Sequence, residues 1–270
     1  MMLSQTDIRA YVRFAGDVAT EAGALLKRGF NRSARGRVTY KGRINPVTEY
    51  DVKSERYIAS RIRRRFPGHA LLAEEGSSAK ERSQFRWIVD PLDGTVNYAH
   101  GFPIYCVSIA LEYDGVIVVG VVYDPERDEL FSAGRGISVF LNGRKITVSV
   151  ETSLRRSLLA TGFGYNVSTV KRNNLGLFAR MVKTAQAVRR PGSAAIDLCW
   201  LACGRLDGFW EFYLHPWDTA AGWLIVEEAG GKVTRLSGRP YAISAVDILA
   251  TNGRIHKAMM AALSGRSRKN

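Results

Sequence analysis

Trp87-Ile88-Val89-Asp90-Pro91-Leu92-Asp93-Gly94-Thr95 decides how this chain is read. An apolar strand pattern carries two carboxylates, three residues apart, to a turn that then opens a helix. Pro91 biases Asp90 away from helical torsions and keeps it extended at the strand end. Gly94 tolerates the torsions of a sharp turn and lets a ligand approach the backbone. Amides of Gly94 and Thr95 at a helix N-terminus suit a phosphate, and the Thr95 hydroxyl adds a group that can hold a water. Two carboxylates about 4–5 Å apart repel by roughly 3–4 kcal/mol at an effective dielectric near 20. A fold that pins them together implies positive charge between them, and a divalent metal is the usual answer. Taken alone, the segment is equally an ordinary Asp-Pro-x-Asp-Gly turn.

Three other places present acids with local reasons to act. Asp51 stands at a helix start after Pro46-Val47-Thr48-Glu49-Tyr50, where a first-turn acid also serves as a cap. Glu74 and Glu75 end the apolar run Ala70-Leu71-Leu72-Ala73. Asp218 follows His215-Pro216-Trp217 and leads into Thr219-Ala220-Ala221-Gly222, another helix start. Glu227 and Glu228 read as a helix end closed by Gly230, and His100 and His215 as structural neighbours of the acids.

Around these points the chain divides into two styles. A 3.6-residue period over residues 6–30 predicts a helix, with Thr6 or Asp7 as its cap. Residues 31–46 are polar, basic and glycine-bearing and read as a mobile loop. A second helix is expected from about Asp51, with Ile58, Ile62 and Phe66 on one face, ending before Pro67. From Trp87 to about Val150 strands dominate, with hairpins at Asp114-Gly115 and Asn142-Gly143, the latter leading into Lys145–Val148. Helices and strands then alternate: a strand at 157–161, helices at 173–187 and 193–203, a strand at 208–213, and a helix from Asp218 to Gly230-Gly231. Strands at 233–236 and 248–251 and a helix at 254–263 complete the pattern. The expectation is an α+β half, residues 1–150, joined without a linker to an α/β half, residues 151–270, as one compact unit.

Composition narrows the function classes. The 270 residues are 46% hydrophobic, ample for a packed core. No window approaches the ~18 apolar residues of a membrane helix, and no secretory pattern opens the chain, so a cytoplasmic protein is expected. Cys106, Cys199 and Cys203 are sparse and odd in number, and read as buried thiols. The net charge of +14 fits either anionic substrates or a nucleic-acid partner. Its local runs, Arg61–Arg65 at a helix end and Arg266–Lys269 in the tail, carry no interleaved aromatics.

Taken together, Glu74, the Asp-Pro-Leu-Asp-Gly-Thr of 90–95 and the Trp-Asp-Thr-Ala-Ala-Gly of 217–222 resemble the inositol monophosphatase family, within the lithium-sensitive, magnesium-dependent phosphatases. The resemblance extends to Val47-Thr48-x-x-Asp51, Asn97-Tyr98-x-His100-Gly101-Phe102-Pro103, Phe140-Leu141-Asn142-Gly143, Gly192-Ser193-Ala194-Ala195 and Glu227-Glu228-Ala229-Gly230-Gly231, nearly the whole chain. It implies an αβαβα sandwich with an antiparallel first sheet and a mixed second one.

Carried over residue by residue, it implies that Glu74, Asp90 and the Leu92 carbonyl bind one Mg2+, that Asp90, Asp93 and Asp218 bind a second, and that Glu74 with waters holds a weaker third. Asp51, Glu74 and Thr95 would prepare the attacking water. Asp93, Gly94, Thr95, Gly192, Ser193, Ala194, Glu211 and Asp218 would line the substrate, with Glu211 accepting a sugar hydroxyl. The implied substrate is a small phosphorylated polyol, myo-inositol 1-phosphate above all, and the implied assembly a homodimer. Relatives with the same core act on fructose 1,6-bisphosphate, 3′-phosphoadenosine 5′-phosphate or histidinol phosphate. Some bacterial relatives join transcription complexes, which keeps an RNA-associated role in view beside Arg189-Arg190.

Overall fold

The computed structural model describes residues 3–32, 38–41, 45–77 and 83–264, with only the backbone of 31, 32, 38–41, 45 and 46. Helix α1 (Gln5–Arg32) is capped by Ser4, two residues before the expected Thr6 and three before Asp7. Ser4 Oγ accepts the Asp7 N–H at 3.1 Å, while Asp7 Oδ2 takes the Ser4 N–H at 3.3 Å. Asp7 is thus the reciprocal partner in a capping box and not the cap.

Strands β1 (Val38–Lys41) and β2 (Asn45–Thr48) pair antiparallel, Thr39 facing Val47. β1 and the first half of β2 fall in residues 31–46, expected to be a loop, because Val38, Thr39 and Tyr40 carry β propensity that the surrounding Gly and Arg residues obscure. The intervening residues 42–44 lie outside the described residues, as do 33–37 and the basic tail. Helix α2 (Glu49–Arg65) follows, with the basic run of residues 61–65 at its C-terminal end.

The large sheet comprises β3 (Ala70–Ala73), β4 (Phe85–Asp93), β5 (Cys106–Tyr113), β6 (Val116–Asp124), β7 (Glu129–Gly134), β8 (Ser138–Leu141) and β9 (Arg144–Lys145), in that spatial order. All neighbours are antiparallel except β3 and β4. The expected hairpin turns are present, with Asp114 and Gly115, and Asn142 and Gly143, all at positive φ. The last strand is shorter than expected: beyond Lys145 the chain leaves the ladder, and Val148 N–H bonds the Ala229 carbonyl instead. A short helix α3 (Thr95–Ala99) links β4 to β5.

The smaller sheet is mixed and ordered β11-β10-β12-β14-β13. It is built from β10 (Leu158–Thr161), β11 (Ala187–Arg189), β12 (Gly208–Phe212), β13 (Lys232–Thr234) and β14 (Asp247–Thr251). Its helices are α4 (Leu175–Thr184), α5 (Ala194–Ala202), α6 (Pro216–Glu228) and α7 (His256–Ser264). The helix expected over 173–187 ends at Thr184, and Ala187 instead opens the edge strand β11, because Ala185 turns extended and Gln186 N–H bonds the Ser157 carbonyl.

Period-two alternation in β4 separates the apolar layers. Trp87 and Val89 face α1 and α2 and pack with Val18, Leu26, Ile58 and Ile62. Ile88 faces the other way, into the layer where α5 and α6 lie between the sheets with Leu198, Leu224, Phe209 and Ile248. A third cluster packs α4 and α7, through Met181, Met259 and Leu263, on Leu159, Trp210 and Leu249. The result is the expected αβαβα order. Cys106 and Cys199 are buried as expected, whereas Cys203 at the end of α5 is only half-buried. Among the described residues no helix is long and apolar enough to cross a membrane.

Candidate active site

The strand that carries Asp90 does not stop there. β4 runs on to Asp93, and its register with β5 shifts between the pairs Asp90–Ser108 and Asp93–Cys106. Pro91 and Leu92 occupy that irregularity, where a missing N–H costs the ladder nothing and a bulge re-aims the flanking side chains. Both carboxylates therefore belong to one strand, and the turn begins at Gly94. Gly94 has φ 96°, and a Cβ there would come within 2.8 Å of the Ile104 carbonyl oxygen, so only glycine fits.

Neighbouring elements bring the other acids to this point. Parallel pairing sets Ala73 opposite Val89, which brings Glu74 level with Asp90. Asp218 enters from the first turn of α6 and Glu211 from β12. Glu74, Asp90, Asp93, Asp218 and Glu211 line one cavity of about 620 Å³, together with Leu92, Gly94 and Thr95 and with Gly192, Ser193 and Ala194.

Hydrogen bonds on three of these acids fall on a single oxygen. Leu92 N–H donates to Asp90 Oδ1 at 3.0 Å, and His215 N–H to Asp218 Oδ2 at 2.7 Å. Asp93 Oδ2 accepts from Ser193 Oγ at 2.7 Å and from Ala195 N–H at 2.8 Å. One oxygen of each group is thus committed to the fold. Ser193 is committed too, since its hydroxyl is the N-cap of α5 as well as an Asp93 donor.

Burial raises the Asp90 carboxyl well above its usual range, and the Glu74, Asp93 and Asp218 charges raise it further. Asp218 is raised by burial and then by Asp93. Like charges held together in a desolvated cleft call for a counter-ion. Every donor is oxygen, which suits a hard cation such as Mg2+ or Mn2+. Among the described residues no three His, Cys, Asp or Glu side chains form a closed ligand group. The acids frame an open cleft lined by carboxylate and carbonyl oxygens, a setting for a hard, partly hydrated cation.

Beside the acids, Thr95 Oγ1 lies 3.1 Å from Asp51 Oδ1 and 3.0 Å from the Leu92 carbonyl. Asp51 is the third helical residue of α2 and closes a capping box: its Oδ2 accepts from Thr48 N–H at 2.8 Å and from the Thr48 hydroxyl. Asp51 therefore caps α2 through Oδ2 and meets Thr95 through Oδ1. Burial pushes its carboxyl up to about 6, opposed by the Thr48 bonds.

Several contributors escaped the sequence reading. On α2, Ser54 donates to the Pro91 carbonyl at 2.9 Å, anchoring the bulge. Buried Glu55 accepts from Glu75 N–H at 2.6 Å and Ser77 N–H at 2.8 Å, fixing the turn that carries Glu74. Spacing of i, i+3 and i+4 puts Asp51, Ser54 and Glu55 on one face, a signal that a search for apolar periodicity passes over. Tyr165 and Asp197 also line the cavity, beside Arg190, whose charge stands out in the sequence. Glu211 is pushed up to about 8 by burial and then by Asp93, with Arg190 opposing. It stands against Gly162, where any Cβ would collide with its carboxylate oxygens.

Comparison with known proteins agrees with this geometry. The profile of the Inositol monophosphatase family matches residues 7–268. The chain is 44% identical over 265 residues to a Synechocystis protein named inositol-1-monophosphatase, covering 97% of this chain and 92% of that one. It is 40% identical over 247 residues to the Nus factor SuhB of Pseudomonas aeruginosa, covering 90% and 91%. The solved inositol monophosphatase of Anabaena superposes with a TM-score of 0.88 at 42% identity, covering 96% and 97% of the two chains. By sequence, by fold and by the acids its cleft assembles, the chain belongs to the inositol monophosphatase family.

Proposed function

We propose that this protein is a magnesium-dependent phosphomonoesterase acting on inositol 1-phosphate or a similar small polyol phosphate. The observation that carries the reading is the meeting of Glu74, Asp90, Asp93 and Asp218 in one cleft beside the Asp51–Thr95 pair. Glu74, Asp90 and the Leu92 carbonyl would hold one ion, and Asp90, Asp93 and Asp218 another, with a weaker third at Glu74. Such ions act as Lewis acids on the phosphate and lower the pKa of a bound water toward ~7.

The chain's own groups do the rest. The single Thr95 proton has two acceptors in reach, and the charged Asp51 Oδ1 is the stronger. With that proton so directed, Thr95 Oγ1 offers its lone pairs to a water and fixes it for in-line attack. As the oxygen of that water bonds phosphorus, its proton passes to Thr95 Oγ1 and the Thr95 proton to Asp51 Oδ1, while the ester P–O bond breaks and its electron pair leaves with the alcohol oxygen, which takes a proton from solvent water. Amides of Gly94 and Thr95, at a helix start with no intrahelical acceptors, suit the phosphate oxygens. Glu211 and the Gly192–Ala194 segment face the alcohol, where Glu211 accepts a hydroxyl.

Phosphate release from inositol 1-phosphate, fructose 1,6-bisphosphate, 3′-phosphoadenosine 5′-phosphate and histidinol phosphate tests the reading, with and without magnesium. Magnesium-dependent release led by inositol 1-phosphate is expected. Release from none of the four, or release indifferent to magnesium, would overturn it. Family likeness also supports lithium inhibition and a homodimer, and three free cysteines fit a reducing, cytoplasmic compartment.

A second reading, transcription-complex binding, draws on the net charge of +14 and on relatives named Nus factor SuhB. Salt-sensitive retention on RNA by a catalytically inactive variant would support it, and absence of retention at physiological salt would exclude it.

A further inference from the structure

Asp197 is the one acid of the cavity wall to which the family reading gives no role. It lies in the first turn of α5, three residues after Ala194 and so on the same face of the helix. Its residue is only 1% exposed, it lines the cavity, and its Oδ1 has no hydrogen-bond partner among the described residues. A buried acceptor without a donor costs stability, so a site that keeps one holds it for something that arrives.

The surroundings say what arrives. Charges that act on Asp197 come from Glu211, Asp93 and Arg190, so Glu211 is close at hand across the cavity. Among the described residues no N–H or O–H bonds the Asp197 carboxyl, and since Oδ1 is sealed from the cavity a ligand's hydroxyl would meet it at Oδ2. Two carboxyl groups facing one space, one of them without a donor, suit a molecule bearing several hydroxyls.

The geometry points to Asp197 as a second hydroxyl acceptor beside Glu211, the two together selecting alcohols that carry neighbouring hydroxyl groups. This rests on the phosphatase reading and deepens it by assigning a specificity determinant at the alcohol end of the cleft. Phosphate and cations are gripped at the Asp90 end, whereas Asp197 touches neither; it discriminates among alcohols. The Gly162 position serves the same end, since a side chain there would displace Glu211 from the shared space.

The test compares inositol 1-phosphate with ethyl phosphate, which carries the same ester and no hydroxyl, for wild type, Asp197→Leu and Asp197→Asn. Leucine keeps the branching and removes both acceptors, with two bulkier methyl groups in their place; asparagine keeps one. The ratio of kcat/KM for inositol 1-phosphate over ethyl phosphate is expected to fall about tenfold to a hundredfold in Asp197→Leu, mainly through KM, and less in Asp197→Asn. A ratio within about twofold of wild type in both variants, or parallel losses on both substrates, would overturn the assignment. If Asp197→Leu does not fold, an unchanged ratio in Asp197→Asn overturns it and a lowered one supports it. Wild type inactive on both substrates would overturn the phosphatase reading itself, a separate result.

Discussion

Asp51 shows how one carboxylate serves two ends. Its Oδ2 closes the N-terminus of α2 and its Oδ1 meets Thr95. With its carboxyl raised to about 6, it is a base above that pH and a spent acid below it. Turnover is therefore expected to fall on the acid side of about pH 6, and bound cations would move that limb lower. Asp51→Asn keeps the Oδ1 position but accepts no proton, so kcat should drop by about 10²–10⁴-fold with little change in KM. A pH–rate profile of the variant that matched wild type in height and shape would contradict this role. At this scale much of the site was legible. Asp90, Asp93, Gly94 and Thr95 sit in one short motif, and Glu74, Asp218 and Glu211 each end or open an element recognisable by pattern. Asp197 was not, because within Ala194-Ala195-Ile196-Asp197 it reads as an ordinary first-turn acid favoured by the helix dipole. Only burial and a missing donor set it apart.

Helix α2 is the element that stands behind the site. Its N-terminal turns carry Asp51, Ser54 and Glu55, which hold Thr95, the Pro91 carbonyl and the Glu75–Ser77 amides. Removing the Glu55 carboxylate leaves two amides without acceptors at the turn that presents Glu74. Glu55→Ala should lose about 2–3 kcal/mol of stability by denaturant unfolding. It should also raise the magnesium concentration for half-maximal activity, whereas unchanged magnesium dependence would show that Glu74 needs no such support. Hairpins were legible at this scale because Asp114-Gly115 and Asn142-Gly143 supply the two positive-φ residues that the turn demands. The course of β4 was not: Pro91 argues for a strand end, and only pairing with β5 across the bulge carries it through to Asp93. Edge strand β11 was hidden for a similar reason, since three residues make no period and their pairing with β10 is a long-range fact.

Across the whole molecule, three apolar clusters hold the two large sheets and three helix layers in place, and the site opens where β4, α3, α5, β12 and α6 converge. Stability should carry a pH signature far from the cleft. His256 is 2% exposed at the start of α7, with Nε2 2.9 Å from Thr234 Oγ1 and Nδ1 2.9 Å from Thr251 Oγ1. Thr234 donates to the Arg235 carbonyl, so its oxygen accepts from Nε2–H and Nδ1 takes the Thr251 proton. Burial, helped by Lys232, lowers the imidazole to about 4. The unfolded chain therefore binds a proton between about pH 6.5 and 4 that the fold refuses, and stability falls as pH drops through that window, by on the order of 3 kcal/mol. His256→Asn should be less stable than wild type at pH 7, with the gap closing toward pH 4; a constant gap would contradict the assignment. The layer order was legible because strand alternation and helix period are local, whereas the meeting of Glu74, Asp218 and Glu211 depends on sheet order that no local pattern encodes. The central claim is that Asp90, at the centre of the acids, makes the protein a magnesium phosphatase. Asp93→Asn would also disturb the start of α5, through Ser193 and Ala195. Asp90→Asn keeps the one acceptor used by Leu92 N–H and relieves the repulsion. The deciding measurement is magnesium-dependent phosphate release from inositol 1-phosphate by Asp90→Asn, on protein shown to melt no lower than metal-free wild type. A loss of about a thousandfold or more is predicted, and turnover within a few-fold of wild type would contradict the account.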